Sequence, residues 1–159
     1  MDENSDAQII VGVISDTHGH LSEQALNELA GVSLIIHAGD LDTLEVKQRL
    51  MELAPLDAVR GNMDRGPGLA ELPRSEVSEV GGAMIYTIHD LAQLDLDPAA
   101  AGFQAVIYGH YHRPEVVERK GVLYLNPGSA TFPRMGTSKS MARLYIRGGK
   151  IETELVNLE

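Results

Sequence analysis

Seven side chains able to hold a cation recur along the 159 residues in an ordered way: Asp16 and His18, Asp40, Asn62, His89, and His110 with His112. Each follows a short apolar run that reads as a strand. Ligands bind at the carboxyl ends of strands in α/β sheets, so five loops bring these side chains to one rim. Asp16 with His18, and His110 with His112, are i, i+2 pairs. On an extended chain such residues face the same way, and each pair reads as a clamp. Two ions in such a site lie roughly 3.5–4 Å apart, with Asp40 placed to bridge them. Two divalent ions, two carboxylates, five neutral ligands and one hydroxide sum to about +1, a charge that draws a phosphate group. Nitrogen and oxygen donors of this kind suit manganese foremost, or nickel, iron, cobalt or zinc, rather than calcium. Singly, each element has a plainer reading as a turn or a packed strand end; the weight lies in their succession.

Composition narrows the field. There is no cysteine, which excludes disulfides, thiolate zinc sites and a cysteine nucleophile. The formal net charge of −10, with no basic run and few aromatics, argues against a nucleic-acid platform. The polar, acidic start lacks the features of a signal peptide, and no apolar run approaches membrane-spanning length. A cytoplasmic location is expected. A chain of this size buries roughly 70% of the surface its unfolded form exposes, so a core forms without staples.

Residues 1–7 read as a disordered tail and 8–159 as one domain. Strands are expected at 8–14, 33–37 and 56–60, with helices at 21–30 and 44–53 between them, an alternation that implies parallel pairing. After an irregular loop at 65–73 the rhythm changes. Hairpins are expected for 76–80 with 83–88, 116–119 with 122–125, and 142–147 with 151–156, each turning on glycine. A strand at 105–108 leads into the second histidine pair, and a helical stretch lies within 91–101, interrupted near Pro98. The expectation is an α/β fold: two mixed sheets packed face to face, flanked by helices.

The ordered blocks Asp16-Thr17-His18-Gly19, His37-Ala38-Gly39-Asp40, Gly61-Asn62-Met63-Asp64, His89, Gly109-His110-Tyr111-His112 and Asn126-Pro127-Gly128-Ser129 resemble the calcineurin-like metallophosphoesterases, within them the small bacterial and archaeal phosphodiesterase branch. The resemblance implies a four-layer α-β-β-α sandwich. It implies that Asp16, His18 and His112 bind one metal, that Asn62, His89 and His110 bind the other, and that Asp40 bridges them. It also implies manganese or nickel and a dimer or tetramer. This chain departs from the family pattern at Met63, where larger relatives carry a histidine that assists the leaving group, and at Asp90, where glycine usually follows the histidine. His37 reads as a packed strand-end residue and His20 as a rim residue. Asp64 is either a turn residue or an orienter of a ligand, and Gly128 and Ser129 read as structural. Tyr111 and Arg113 flank the second clamp.

The function expected is hydrolysis of a small phosphate ester, foremost a phosphodiester. A hydroxide held between the metals is the nucleophile, and Asn62 helps to hold a phosphate oxygen or the attacking water. The rival expectation is a non-catalytic scaffold, since the same fold resembles the metallophosphoesterase-like subunit of retromer.

Overall fold

In a computed structural model, residues 7–159 are described; the tail expected over 1–7 lies outside them except for Ala7. The strands are β1 (Ile9–Ile14), β2 (Leu34–His37), β3 (Leu56–Ala58), β4 (Ser75–Val80), β5 (Ala83–Ile88), β6 (Ala105–Ile107), β7 (Pro114–Arg119), β8 (Val122–Pro127), β9 (Ser140–Arg147) and β10 (Lys150–Asn157). The helices are α1 (Glu23–Leu29), α2 (Leu44–Leu53) and α3 (Pro98–Ala101). Two sheets of five strands result, in the orders β10-β9-β1-β2-β3 and β4-β5-β6-β8-β7.

Side chains on a strand alternate between faces, and the central strands use both. Val11 and Val13 of β1 and Ile36 of β2 meet Ile85, Ile107, Leu125 and Leu144 between the sheets. Ile14 and Ile35 face the other way, against Ala25 and Leu29 of α1 and Val46 and Leu50 of α2. On the far side of the second sheet, Tyr86, Val106 and Tyr108 are covered by Leu91, Leu94, Leu96 and Phe103. Burial on both faces explains why these strands read as apolar runs rather than alternating ones. The layer order is α-β-β-α, as expected, but its last layer is thin.

The helix expected within 91–101 is a 3₁₀ turn at Leu91–Gln93 and the single turn of α3. Asp97 caps a new start and Pro98 occupies its first turn, which breaks continuity with the residues before it. The second sheet also departs from a plain series of hairpins. β5, β6 and β8 run parallel, and only the outer strands β4 and β7 pair antiparallel. Both sheets therefore present the carboxyl ends of parallel strands. Among the described residues no helix is long and apolar enough to cross a membrane.

Candidate metal centre

The loops that leave β1 and β2 are laced together by backbone bonds: Asp16 N–H to Gly39 O at 3.0 Å, His18 N–H to Asp40 O at 3.0 Å and Gly19 N–H to Leu41 O at 2.8 Å. Gly109 N–H bonds His89 O at 3.0 Å, joining the loops after β5 and β6. Of the seven non-glycine residues with positive φ among those described, six are Asp16, His18, Asp40, Asp42, His110 and His112. This corrects the reason given for the paired residues. They converge because each member takes a left-handed turn, not because an extended strand points both one way. Such conformations cost about 1–3 kcal/mol each and persist where the surroundings impose them.

Three imidazoles are fixed in the same sense. Nδ1 of His89 lies 2.7 Å from Ala38 O, and Nδ1 of His112 lies 2.7 Å from Phe132 O. A carbonyl only accepts, so Nδ1 carries the proton in both rings and Nε2 is left as a lone pair. His18 Nδ1 likewise donates to Asp42 Oδ2 at 3.1 Å. All three Nε2 atoms face the two carboxylates. Asp40 Oδ2 lies 3.8 Å from His18 Nε2 and 3.3 Å from His89 Nε2, and Asp16 Oδ1 lies 3.8 Å from His18 Nε2 and 3.3 Å from His112 Nε2. Nε2 of His18 and Nε2 of His112 face each other at 3.1 Å. Buried Asp16 Oδ1 and His89 Nε2 find no hydrogen-bond partner, despite the short distances. Lone pairs turned toward lone pairs fit a cation between them, a metal ion or a proton on the ring. The residues therefore suit the metal that their chemistry implies.

The other anchors are built from polar backbone contacts. Asp16 Oδ2 accepts from Ser15 Oγ at 2.6 Å and His110 N–H at 3.1 Å. Asp40 Oδ1 accepts from Met63 N–H at 2.9 Å. Burial alone would raise the Asp40 carboxyl, but His89 and the Met63 N–H outweigh it and hold it down at about 2. His112 is raised above the ordinary imidazole range chiefly by Asp16. For His89, burial pulls downward, and the Asp40 carboxylate overcomes it to give a net rise. Asp64 is fully buried and accepts three backbone N–H groups, from Asp40, Asp42 and Gly61, at 2.8–2.9 Å. It ties the loop after β3 to the loop after β2 and also closes its own turn with Gly61.

Asp16, His18 and His112 form one compact group, and Asp16, Asp40 and His89 a second. His110 belongs to neither group, though its ring centroid lies 5.1 Å from that of His89, and Asn62 is exposed. They line a cavity with His89, and His110 Nε2 lies 3.9 Å from Asp90 Oδ2. Asp90 accepts from Tyr111 Oη at 2.7 Å and caps the 3₁₀ turn through Ala92 N–H at 3.0 Å. Met63 exposes 48% of its surface, and its backbone rather than its thioether serves Asp40. His20 stacks edge-on against Phe132 at 6.1 Å, outside both groups. Tyr111 and Arg113 line a neighbouring cavity with Leu91 and Arg134. Gly128 and Ser129 are structural: Ser129 Oγ donates to Asp16 O at 2.8 Å and accepts from Phe132 N–H at 2.9 Å.

Two positioning residues were missed in the sequence. Asp42 stands two places after Asp40, and Ser15 directly precedes Asp16; both look like loop filler without the fold. Asp42→Ala is expected to free the His18 ring and weaken metal affinity by about 10–100-fold. Competition with a chromogenic chelator measures it, and an unchanged affinity would remove Asp42 from the centre.

His37 is fully buried beneath these loops. Its Nδ1 accepts from Gly39 N–H at 3.0 Å, so Nε2 carries the proton toward Thr17 Oγ1 at 3.0 Å. Burial pushes its pKa from 6.5 down to about 4. The neutral ring's contribution is full above pH 6.5 and is lost as pH falls from there to about 4, worth roughly 3 kcal/mol. In metal-free protein, His89 and His112 add slopes of the opposite sign. Denaturant titrations of wild type and His37→Gln across this range isolate the term, and the variant is expected to lose less stability on acidification.

Residues 9–149 match the calcineurin-like phosphoesterase superfamily domain. A probable metallophosphoesterase of Methanothermobacter thermautotrophicus is 37% identical over 160 residues, covering 93% of this chain and 92% of the relative. A predicted phosphoesterase from Streptococcus pneumoniae has a similar solved structure, with a TM-score of 0.76 and 25% identity over 96% of this chain and 91% of that one. Wild-type Vps29 from Entamoeba histolytica, solved in complex with zinc, gives a TM-score of 0.73 and 26% identity over 95% of this chain and 100% of that one. The chain belongs to the calcineurin-like phosphoesterase superfamily, a metal-dependent family.

Proposed function

We propose that this protein is a two-metal phosphoesterase acting foremost on small phosphodiesters. The observation that carries the reading is the set of three imidazoles locked with Nε2 toward Asp16 and Asp40, two of whose facing atoms are buried without partners. Asp16, His18 and His112 would hold one ion and Asn62, His89 and His110 the other, with Asp40, whose Oδ2 lies near both His18 and His89, placed to serve both. When bound, the ions acidify water and offset charge on the phosphoryl oxygens. The protein positions the rest. Asp42, Ala38 O and Phe132 O keep the rings from rotating, and Asp64 keeps the Asp40 and Asn62 loops in register. The exposed Asn62 amide faces the same cavity as His89 and His110, where it donates to a phosphoryl oxygen of the substrate. Nitrogen and oxygen donors favour manganese, nickel, iron, cobalt or zinc.

The test is metal content together with turnover. Reconstituted protein is expected to hold two ions per chain and to hydrolyse bis(p-nitrophenyl) phosphate. Less than one ion per chain would sink the reading. The likeness to Vps29 favours a second reading, a protein-assembly scaffold on the same fold; two bound ions with no ester hydrolysed in any of these metals would support it.

A further inference from the structure

A cavity of about 300 Å³ opens beside the candidate second-ion residues. Asn62, His89 and His110 line it, and so do Arg60, Arg74 and Asp90. Arg60 directly precedes Gly61-Asn62, and its backbone N–H donates to Pro73 O at 2.8 Å, which holds the start of Arg74 beside it. Two exposed arginines therefore leave neighbouring points of the backbone, and both line this one cavity.

Among the described residues neither pairs with a carboxylate: the arginine ion pairs involve Arg49, with Glu52, and Arg143, with Glu28 and Glu154. This chain carries 23 acidic side chains against 13 basic ones, so an acidic neighbour is easy to supply. Asp90, the one carboxylate on the cavity wall, already accepts from Tyr111 Oη and Ala92 N–H through Oδ1, and its Oδ2 faces His110. Two cations beside each other repel, and ions in the neighbouring centre add to that repulsion. An anion lodged between the guanidinium groups removes it, and guanidinium is suited to bidentate contact with phosphate.

We propose that Arg60 and Arg74 form a second anion subsite, and that the substrate is a small phosphate ester carrying a further phosphate near the scissile one. The proposal rests on the phosphoesterase reading for its first phosphate. The walls at Gln93, Asn62 and the two arginines are polar, which suits a hydrated phosphate rather than an apolar ring. The cavity's volume of about 300 Å³ accommodates that group beside the candidate second-ion residues.

The manganese-loaded protein is tested with adenylyl-adenosine and its 5′-phosphorylated form, which differ only by the added phosphate. The phosphorylated dinucleotide is expected to show kcat/KM about 10–100-fold higher, the range of a charge-assisted pair of contacts. In the double variant Arg60→Gln, Arg74→Gln the ratio is expected to fall to near one. Binding is measured in parallel by calorimetry with adenosine monophosphate and adenosine 3′,5′-bisphosphate. Equal affinity for these two ligands in the wild type, or a preference that survives the double variant, overturns the subsite. Failure of every ester to be hydrolysed, with an arginine-dependent preference for the bisphosphate intact, overturns the hydrolytic reading and leaves the subsite standing.

Discussion

Asp40→Asn is expected to abolish most turnover and to lower the stability of the metal-free protein at neutral pH. On the proposed two-ion reading the carboxylate would serve both ions, since Oδ2 lies near His18 and His89. Losing its charge weakens hold on both ions, and a loss of at least about 100-fold in kcat follows from removing one preorganised electrostatic group. The fold also loses stability. Against burial, the carboxyl is held down at about 2, chiefly by His89 and the Met63 N–H, so the folded chain favours its charged form; asparagine gives up that stabilisation while keeping an oxygen for Met63 N–H. A lowered melting temperature in chelator together with a large loss of kcat in saturating metal is the expected pair. Near wild-type kcat in saturating metal would remove Asp40 from the centre.

Gly109→Ala is expected to damage the site from outside it. A Cβ there would overlap Ser15 Oγ and lie 2.6 Å from Asp16 Oδ2. Gly109 is not among the positive-φ residues, so alanine meets no backbone penalty and the effect is purely one of space. Overpacking of this kind costs about 1–3 kcal/mol. The Asp16 carboxylate must also turn from its contacts with Ser15 and His110 N–H, which carries its other oxygen away from His18 and His112. Metal affinity is expected to fall by about 10–100-fold. Ser15→Ala added to Gly109→Ala is expected to recover part of the stability. Unaltered metal binding in the single variant would show that the loop yields without moving Asp16.

What was legible in the sequence was whatever has a local signature. The spacing of Leu44, Leu50 and Met51 located α2 over Leu44–Leu53, and Gly81-Gly82 located the turn between β4 and β5. The side chains of the candidate centre stood out because metal-capable types recurred after apolar runs. The order of the second sheet did not, because its parallel β5-β6-β8 core depends on burial against another sheet rather than on turn chemistry. The left-handed backbone at Asp16, His18, His110 and His112 was hidden for a related reason: nothing local favours it in a histidine, and the lacing of two loops imposes it. Asp42 and Asp64 reach groups 22 or more residues away, beyond the local Gly61 turn of Asp64, and Ser15 acts through an adjacent carboxylate whose direction only the fold defines.

His18 and His112, whose Nε2 atoms meet at 3.1 Å, are 94 residues apart in the chain. Bringing them together requires that the first sheet's β1 loop and the second sheet's β6 loop already be docked, so the centre closes late in folding, after the entropy of a long loop has been overcome. No short stretch of the nascent chain contains both halves of the clamp. On the two-metal reading, an ion would therefore meet a chain that has already folded, and refolding in chelator is expected to run as fast as in saturating metal. A cell short of the ion would accumulate folded, silent protein rather than unfolded chains.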